Sequence, residues 1–208
     1  MSAGESPHSG PARKRIALVG AQPEYLVNLR GQLLRDLVAA GHDVTAVGSE
    51  PSPDVEATLA SWGVEYAVVP LARAGLSPRA DWRTYQSFIK FFRETKPDLM
   101  LVYTTKSIVW ALLAARSARV PRRYAMIAGR GFALVSQPGL RNAIIRTITK
   151  RLLRFALKAA HGVIFQNEED MALFREEKLL PAGKHAVRVY GSGVEVDRFV
   201  TLPLPPLP

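Results

Sequence analysis

Short apolar runs alternate with amphipathic segments along almost the whole chain. RIALVG at 15–20 is a continuous apolar run that ends in glycine, and this predicts a buried strand. NLRGQLLRDLVAA at 28–40 follows, with Leu29, Leu33, Leu34 and Leu37 on one helical face and Gly41 where a helix C-cap belongs. VTAVG then reads as a second strand, 54–62 as a short helix and VEYAVVP at 64–70 as a third strand. Residues 81–95 form the next helix, with Trp82, Tyr85, Phe88, Ile89 and Phe92 spaced for one face and Pro97-Asp98 as the break. LMLVY at 99–103, RRYAMI at 122–127, GVIFQ at 162–166 and HAVRVYG at 185–191 complete seven strands. Helices at 107–118, 139–160 and 168–177 lie between them. Unbroken apolar strands that alternate with helices predict an α/β fold, a doubly wound, mostly parallel sheet of about seven strands. Ligands of such sheets bind beyond the carboxyl ends of the strands.

The chain has 208 residues, the size of one domain, and 48% of them are hydrophobic. Residues 1–14 mix Ser, Gly, Pro and charge without periodicity and read as a disordered tail. Residues 15–200 form the domain, and TLPLPPLP at 201–208 reads as the start of a linker cut inside a longer chain. No secretory leader and no run long enough to span a bilayer is present. There is no cysteine, which excludes disulfides and thiolate ligands, and no two of the four histidines stand at metal-ligand spacing, so no metal is expected.

Charge changes the picture. The formal net charge is +10, yet from Leu99 to Asn167 there is no Asp or Glu at all, against 12 Lys and Arg. The rest of the chain is close to neutral. A segment of this kind asks for an anionic partner: a phosphorylated substrate, a lipid surface or nucleic acid. Nucleic acid is the poorest fit, because no aromatic stacking platform and no helix-turn-helix pattern accompanies the charge. The long helix places Ile144, Ile148, Leu152, Phe155 and Ala159 on one stripe, which a folded domain ordinarily turns to its core. Arg146, Lys150, Arg151, Arg154 and Lys158 then form a candidate membrane or anion surface.

The strand ends supply the other candidates. Gly20-Ala21-Gln22 after the first strand allows a close backbone approach to a phosphate, although the fingerprint G-x-G-x-x-G is absent. Thr104-Thr105-Lys106 after the fourth strand offers two hydroxyls and an ammonium, or plain helix capping. Gly129-Arg130-Gly131-Phe132 after the fifth strand carries a charge-assisted donor on flexible backbone. Gly191-Ser192-Gly193 after the last strand reads as a turn.

Taken in order, NLRGQLLRDLVAAGHDVTAVG, KPDLMLVYTTK, VPRRYAMIAGRGFAL, GVIFQNEEDMALF and GSGVEVDRF resemble the N-terminal half of family 4 retaining glycosyltransferases of the GT-B fold. The resemblance is to bacterial enzymes that act on lipid-linked oligosaccharides in polysaccharide or glycan assembly. It implies an acceptor-binding domain whose partner domain, absent here, holds most of a nucleotide-sugar donor such as a UDP-sugar. It implies Gly20, Ala21 and Gln22 at the donor diphosphate. It further implies Asn28, Arg30, Thr104, Thr105, Lys106, Gly129, Arg130 and Gly131 toward the acceptor. No cofactor bound to this domain is implied, and no catalytic residue is assigned. Many family members carry a histidine where Ala128 stands. The implied location is cytoplasmic, peripheral on the inner face of the cell membrane. Two other readings stand beside it: a non-enzymatic membrane-surface or partner-binding module, and a nucleotide-dependent epimerase or oxidoreductase.

Overall fold

The computed structural model describes residues 12–71, 77–129 and 139–193. In chain order the elements are β1 (Arg15–Val19), α1 (Pro23–Asn28), α2 (Gly31–Ala39), β2 (Asp43–Gly48), α3 (Pro53–Ser61), β3 (Glu65–Val68) and α4 (Pro78–Thr95). There follow β4 (Leu99–Tyr103), α5 (Thr105–Ser117), β5 (Arg122–Ile127), α6 (Leu140–Leu157), β6 (Gly162–Phe165), α7 (Glu168–Glu176) and β7 (His185–Arg188). The strands form one sheet in the order β3-β2-β1-β4-β5-β6-β7, and every neighbouring pair is parallel. The order reverses between β1 and β4, so the crevice at their carboxyl ends is where a ligand of this architecture is expected.

The two-residue period of β1 divides the core. Ala17 and Val19 face one cluster, in which Phe88 and Phe92 of α4, Ile108 and Leu112 of α5, Leu153 of α6 and Phe174 of α7 pack. Leu18 faces the other, with Leu26 of α1, Leu34 of α2 and Val55 and Leu59 of α3. Helix ends follow local chemistry. Lys96 closes α4 in the left-handed region (φ 46°) immediately before Pro97, and Gly41 follows α2 at φ 84°. The Asn167 side chain caps α7 by accepting from the Asp170 amide at 2.7 Å.

Two expectations from the pattern need correction. The helix expected over 28–40 starts later, as α2 at Gly31, and a separate short helix not expected from the pattern, α1, precedes it, with the break at Leu29 and Arg30. Arg30 leaves helical geometry (φ −124°, ψ −1°) and is buried, and Gly31 lies against the Trp62 ring, 3.0 Å from where a Cβ would stand. Tertiary contacts outweigh helix propensity at this point. The stripe expected to bury α6 is divided: Leu152 packs on the core and Ala159 is buried, but its other three members face outward. Ile144, Ile148 and Phe155 are 51%, 38% and 54% exposed, while Thr149, Leu153, Ala156, Leu157 and Ala160 are buried. The small residues at 156 and 160 let the helix settle closely on its neighbours, so the larger side chains stay outside. Trp82, expected on the core face of α4, is also exposed and rests tilted on Tyr85 at 5.4 Å.

Candidate functional site at the carboxyl edge of the sheet

The end of β1 meets the end of β4. Gly20 is glycine because Tyr103 is there: a Cβ at position 20 would stand 2.4 Å from the Tyr103 hydroxyl. The Gly20 amide donates to the Val47 carbonyl at 2.9 Å, so it stitches β1 to β2 and is already engaged. Thr104 follows Tyr103 with φ 70°, a backbone setting that a β-branched residue rarely adopts. Its hydroxyl donates to Ser107 Oγ at 2.9 Å, and Ser107 donates to the Gly20 carbonyl at 3.2 Å. These bonds tie the start of α5 to the end of β1.

Arg30, from the break between α1 and α2, lies over the Tyr103 ring with its guanidinium carbon 4.8 Å from the centroid. Burial pulls its pKa below the usual arginine range. Burial likewise pushes the Tyr103 phenol well above its usual range, partly offset by Arg30. Arg30 Nη1 and Gln166 Nε2, just past β6, both donate to the Ser192 hydroxyl, the latter at 2.8 Å.

The structure therefore brings together Gly20, Arg30 and Thr104 among the expected residues. Ala21 and Gln22 adjoin Gly20 at the start of α1, with Gln22 at its N-cap. Asn28 is exposed at the end of α1. Thr105 opens α5, and Lys106 pairs with Asp81 at 2.9 Å, a nearly buried carboxylate of α4. Gly129 is exposed at φ 118°, one residue beyond the loop start at Ala128, while Arg130 and Gly131 lie outside the described residues. Reading strand ends alone missed Tyr103, Gln166 and Asp81, and took Ser192 for an ordinary turn residue. Tyr103 and Gln166 both stand at strand ends, so their positions carried the signal and their unremarkable types hid it.

The basic helix stands apart from the crevice and divides its charges. Lys150 pairs with Glu177 at 2.6 Å beside α7, which removes it from the open surface. Arg146 is half-buried. Arg151, Arg154 and Lys158 are exposed, and at 100° per residue Arg151 falls within the outward row of Ile144, Ile148 and Phe155. Two further cations, Arg123 inside the acid-free segment and Lys184 beyond it, are structural. Arg123 donates to the carbonyls of Ala159 and Val120, and Lys184 to those of Lys158 and Ala160, so both satisfy the carboxyl end of α6.

Residues 29–191 match the model of the glycosyl transferase 4-like domain. The chain belongs to this family. The glycosyl transferase 4-like domain here is 26% identical over 125 residues to a Campylobacter jejuni protein named N,N'-diacetylbacillosaminyl-diphospho-undecaprenol alpha-1,3-N-acetylgalactosaminyltransferase. That match covers 60% of this chain and 33% of the relative. Among solved structures, MurG of Acinetobacter baumannii superposes with a TM-score of 0.57 at 14% identity, over 88% of this chain and 46% of that one. UDP-GlcNAc 2-epimerase of Neisseria meningitidis, solved with UDP-GlcNAc bound, superposes with a TM-score of 0.54 at 16% identity, over 83% and 46%. At these identities the superpositions establish the fold, and the family match assigns the domain. The glycosyl transferase 4-like domain thus spans less than half the length of each of these proteins.

Proposed function

We propose that this chain is the acceptor-binding half of a glycosyltransferase, which moves a sugar from a nucleotide-sugar onto a lipid-linked saccharide at the cytoplasmic face of a bacterial membrane. The family match supports transfer over epimerisation. The Campylobacter relative, whose name contains a diphospho-undecaprenol, supports a lipid-linked diphosphate acceptor, and the epimerase bound to UDP-GlcNAc supports a UDP-sugar donor. In this reading a second domain supplies the rest of the donor site, and the edge formed by Gly20, Arg30, Tyr103, Thr104 and Gly129 faces both substrates. Preorganised donors at that edge would stabilise the charge that develops on the leaving diphosphate.

One observation carries the membrane part: the outward row of Ile144, Ile148 and Phe155 on α6, set among Arg151, Arg154 and Lys158. No helix among the described residues is long and apolar enough to cross a membrane. An amphipathic helix with an apolar row and flanking cations instead lies in the headgroup plane. Each basic residue near an anionic surface contributes about 1 kcal/mol, so the three exposed ones together give on the order of 100-fold in affinity.

The test is co-sedimentation with vesicles. We expect salt-sensitive binding to vesicles rich in anionic lipid, lost on Arg151→Glu with Arg154→Glu and weakened by Phe155→Ser. Equal binding to neutral vesicles in high salt sinks the membrane reading. Sugar transfer from a panel of nucleotide-sugars to a prenyl-diphosphate saccharide tests the activity. Turnover by residues 1–208 alone overturns the two-domain reading.

A further inference from the structure

Arg30 is 4% exposed, it faces no carboxylate among the described residues, and its Nε is buried there without a hydrogen-bond partner. A buried cation in this state is costly unless something outside the described structure compensates it. Its neighbour Tyr103 repeats the pattern, since its hydroxyl is buried beside Gly20 and has no hydrogen-bond partner among the described residues. What the guanidinium does reach is one oxygen. Arg30 Nη1, from the break between α1 and α2, and Gln166 Nε2, from the end of β6, converge on Ser192 Oγ. Two N–H donors that meet on a single oxygen are the arrangement that holds an oxyanion, and one of the two carries a full charge.

The oxygen held there belongs to a residue able to leave. Ser192 is exposed and stands between Gly191 (φ 76°) and Gly193 (φ 74°). Both glycines occupy backbone space that residues with a Cβ avoid, so the hydroxyl can swing out by rotation at either side. The donors are buried or half-buried, one at the break between two packed helices and one at the end of β6, and the acceptor is on the surface. Gln166 and Tyr103 also lie in the stretch that contains no Asp or Glu, so no carboxylate from that stretch competes for the donors.

We propose that Arg30 and Gln166 form a receptor for a phosphoryl oxygen, and that Ser192 Oγ fills it until the ligand displaces the Gly191-Ser192-Gly193 segment. The charge favours an anionic oxygen over a neutral sugar hydroxyl. Glycosyl transfer, on which the identity of the ligand rests, brings two diphosphates to this edge: that of the nucleotide-sugar and that of the lipid carrier. Displacement couples the occupied receptor to the chain that leaves the sheet after β7.

Residues 1–208 are titrated with inorganic pyrophosphate, UDP and farnesyl diphosphate by calorimetry, and the Gly191 and Gly193 amides are followed by NMR. Ser192→Ala removes the competing hydroxyl and binds pyrophosphate about 3–10-fold more tightly, one hydrogen bond's worth. Gln166→Ala binds it several-fold more weakly, and Arg30→Lys, which keeps the charge and loses the fork, at least about tenfold more weakly. Both glycine amides shift on saturation of the wild type. Tightening in Ser192→Ala that is larger for UDP assigns the receptor to the donor, larger for farnesyl diphosphate to the acceptor, and equal for both to the diphosphate group as such. Pyrophosphate affinity in Ser192→Ala equal to or below wild type, or glycine amides unmoved at saturation, overturns the proposal. Should Arg30→Lys fail to fold, Ser192→Ala and Gln166→Ala still decide it. Variants without effect on pyrophosphate, when the two-domain enzyme still transfers sugar to a lipid acceptor, remove the receptor and leave the transferase reading standing.

Discussion

At the scale of single residues, much of the site is decided by what each side chain excludes. Gly20→Ala pushes a methyl group into the Tyr103 ring, and overpacking of this kind costs about 1–3 kcal/mol. In a denaturation series Tyr103→Leu should make room, so the double variant loses less stability than the sum of the singles. His161 makes a second residue-scale prediction. Burial, then the nearby charges of Arg123, Lys184 and Arg122, lower its pKa below the ordinary 6.5. The Arg123 amide donates to His161 Nδ1 at 3.1 Å, a bond that needs the lone pair of the neutral ring. The unfolded chain therefore binds this proton more readily than the folded one, and stability falls as pH drops below about 6.5. His161→Gln should flatten that part of a melting-temperature profile. A wild-type curve with the same slope as the variant would show that His161 takes no part. Glycine at position 20 was legible as a strand-end signal, but its cause was not, because Tyr103 arrives from 83 positions later in the sequence.

At the scale of elements, periodicity found every strand and every helix but the short α1, and it misjudged faces. The 3.6-residue period of α6 correctly placed Ile144, Ile148 and Phe155 on one side. Which side is core depends on the neighbouring helix, and α5 selects the alanine face. Likewise Arg30 sits in a strong helical pattern, and only the long-range partners Tyr103 and Ser192 reveal why the helix breaks there. The Lys150–Glu177 pair separates structural charge from surface charge. Lys150→Glu should lower stability by about 1 kcal/mol or slightly more, because it replaces a half-buried pair with like charges. It should weaken binding to anionic vesicles far less than Arg151→Glu. Parallel melting and co-sedimentation of the two variants check this, and a stronger vesicle effect for Lys150→Glu would return that lysine to the membrane surface.

At the scale of the whole molecule, the parallel α/β order followed from apolar runs that alternate with helices, and the sheet has all seven strands where the pattern put them. That ligands belong at the carboxyl ends of the strands followed from the same alternation, whereas the reversal between β1 and β4 is visible only in the assembled sheet. Nor did the convergence of Arg30, Gln166 and Ser192 follow from it, since the three lie on separate units and meet only when the sheet is assembled. The charge count of the acid-free segment also needed the fold: Lys106, Arg123 and Lys150 are engaged inside the domain, so at most nine of the twelve cations face an outside partner. The sheet has one further consequence, for behaviour in concentrated solution. Its outer strands, β3 and β7, are only four residues long, and each carries a charge, Glu65 on one and Arg188 on the other. Short charged borders discourage strands of separate molecules from zipping together. Arg188→Val, beside the already exposed Val187, should shorten the lag before light scattering rises on gentle heating. An unchanged lag would mean that colloidal stability is set elsewhere on the surface.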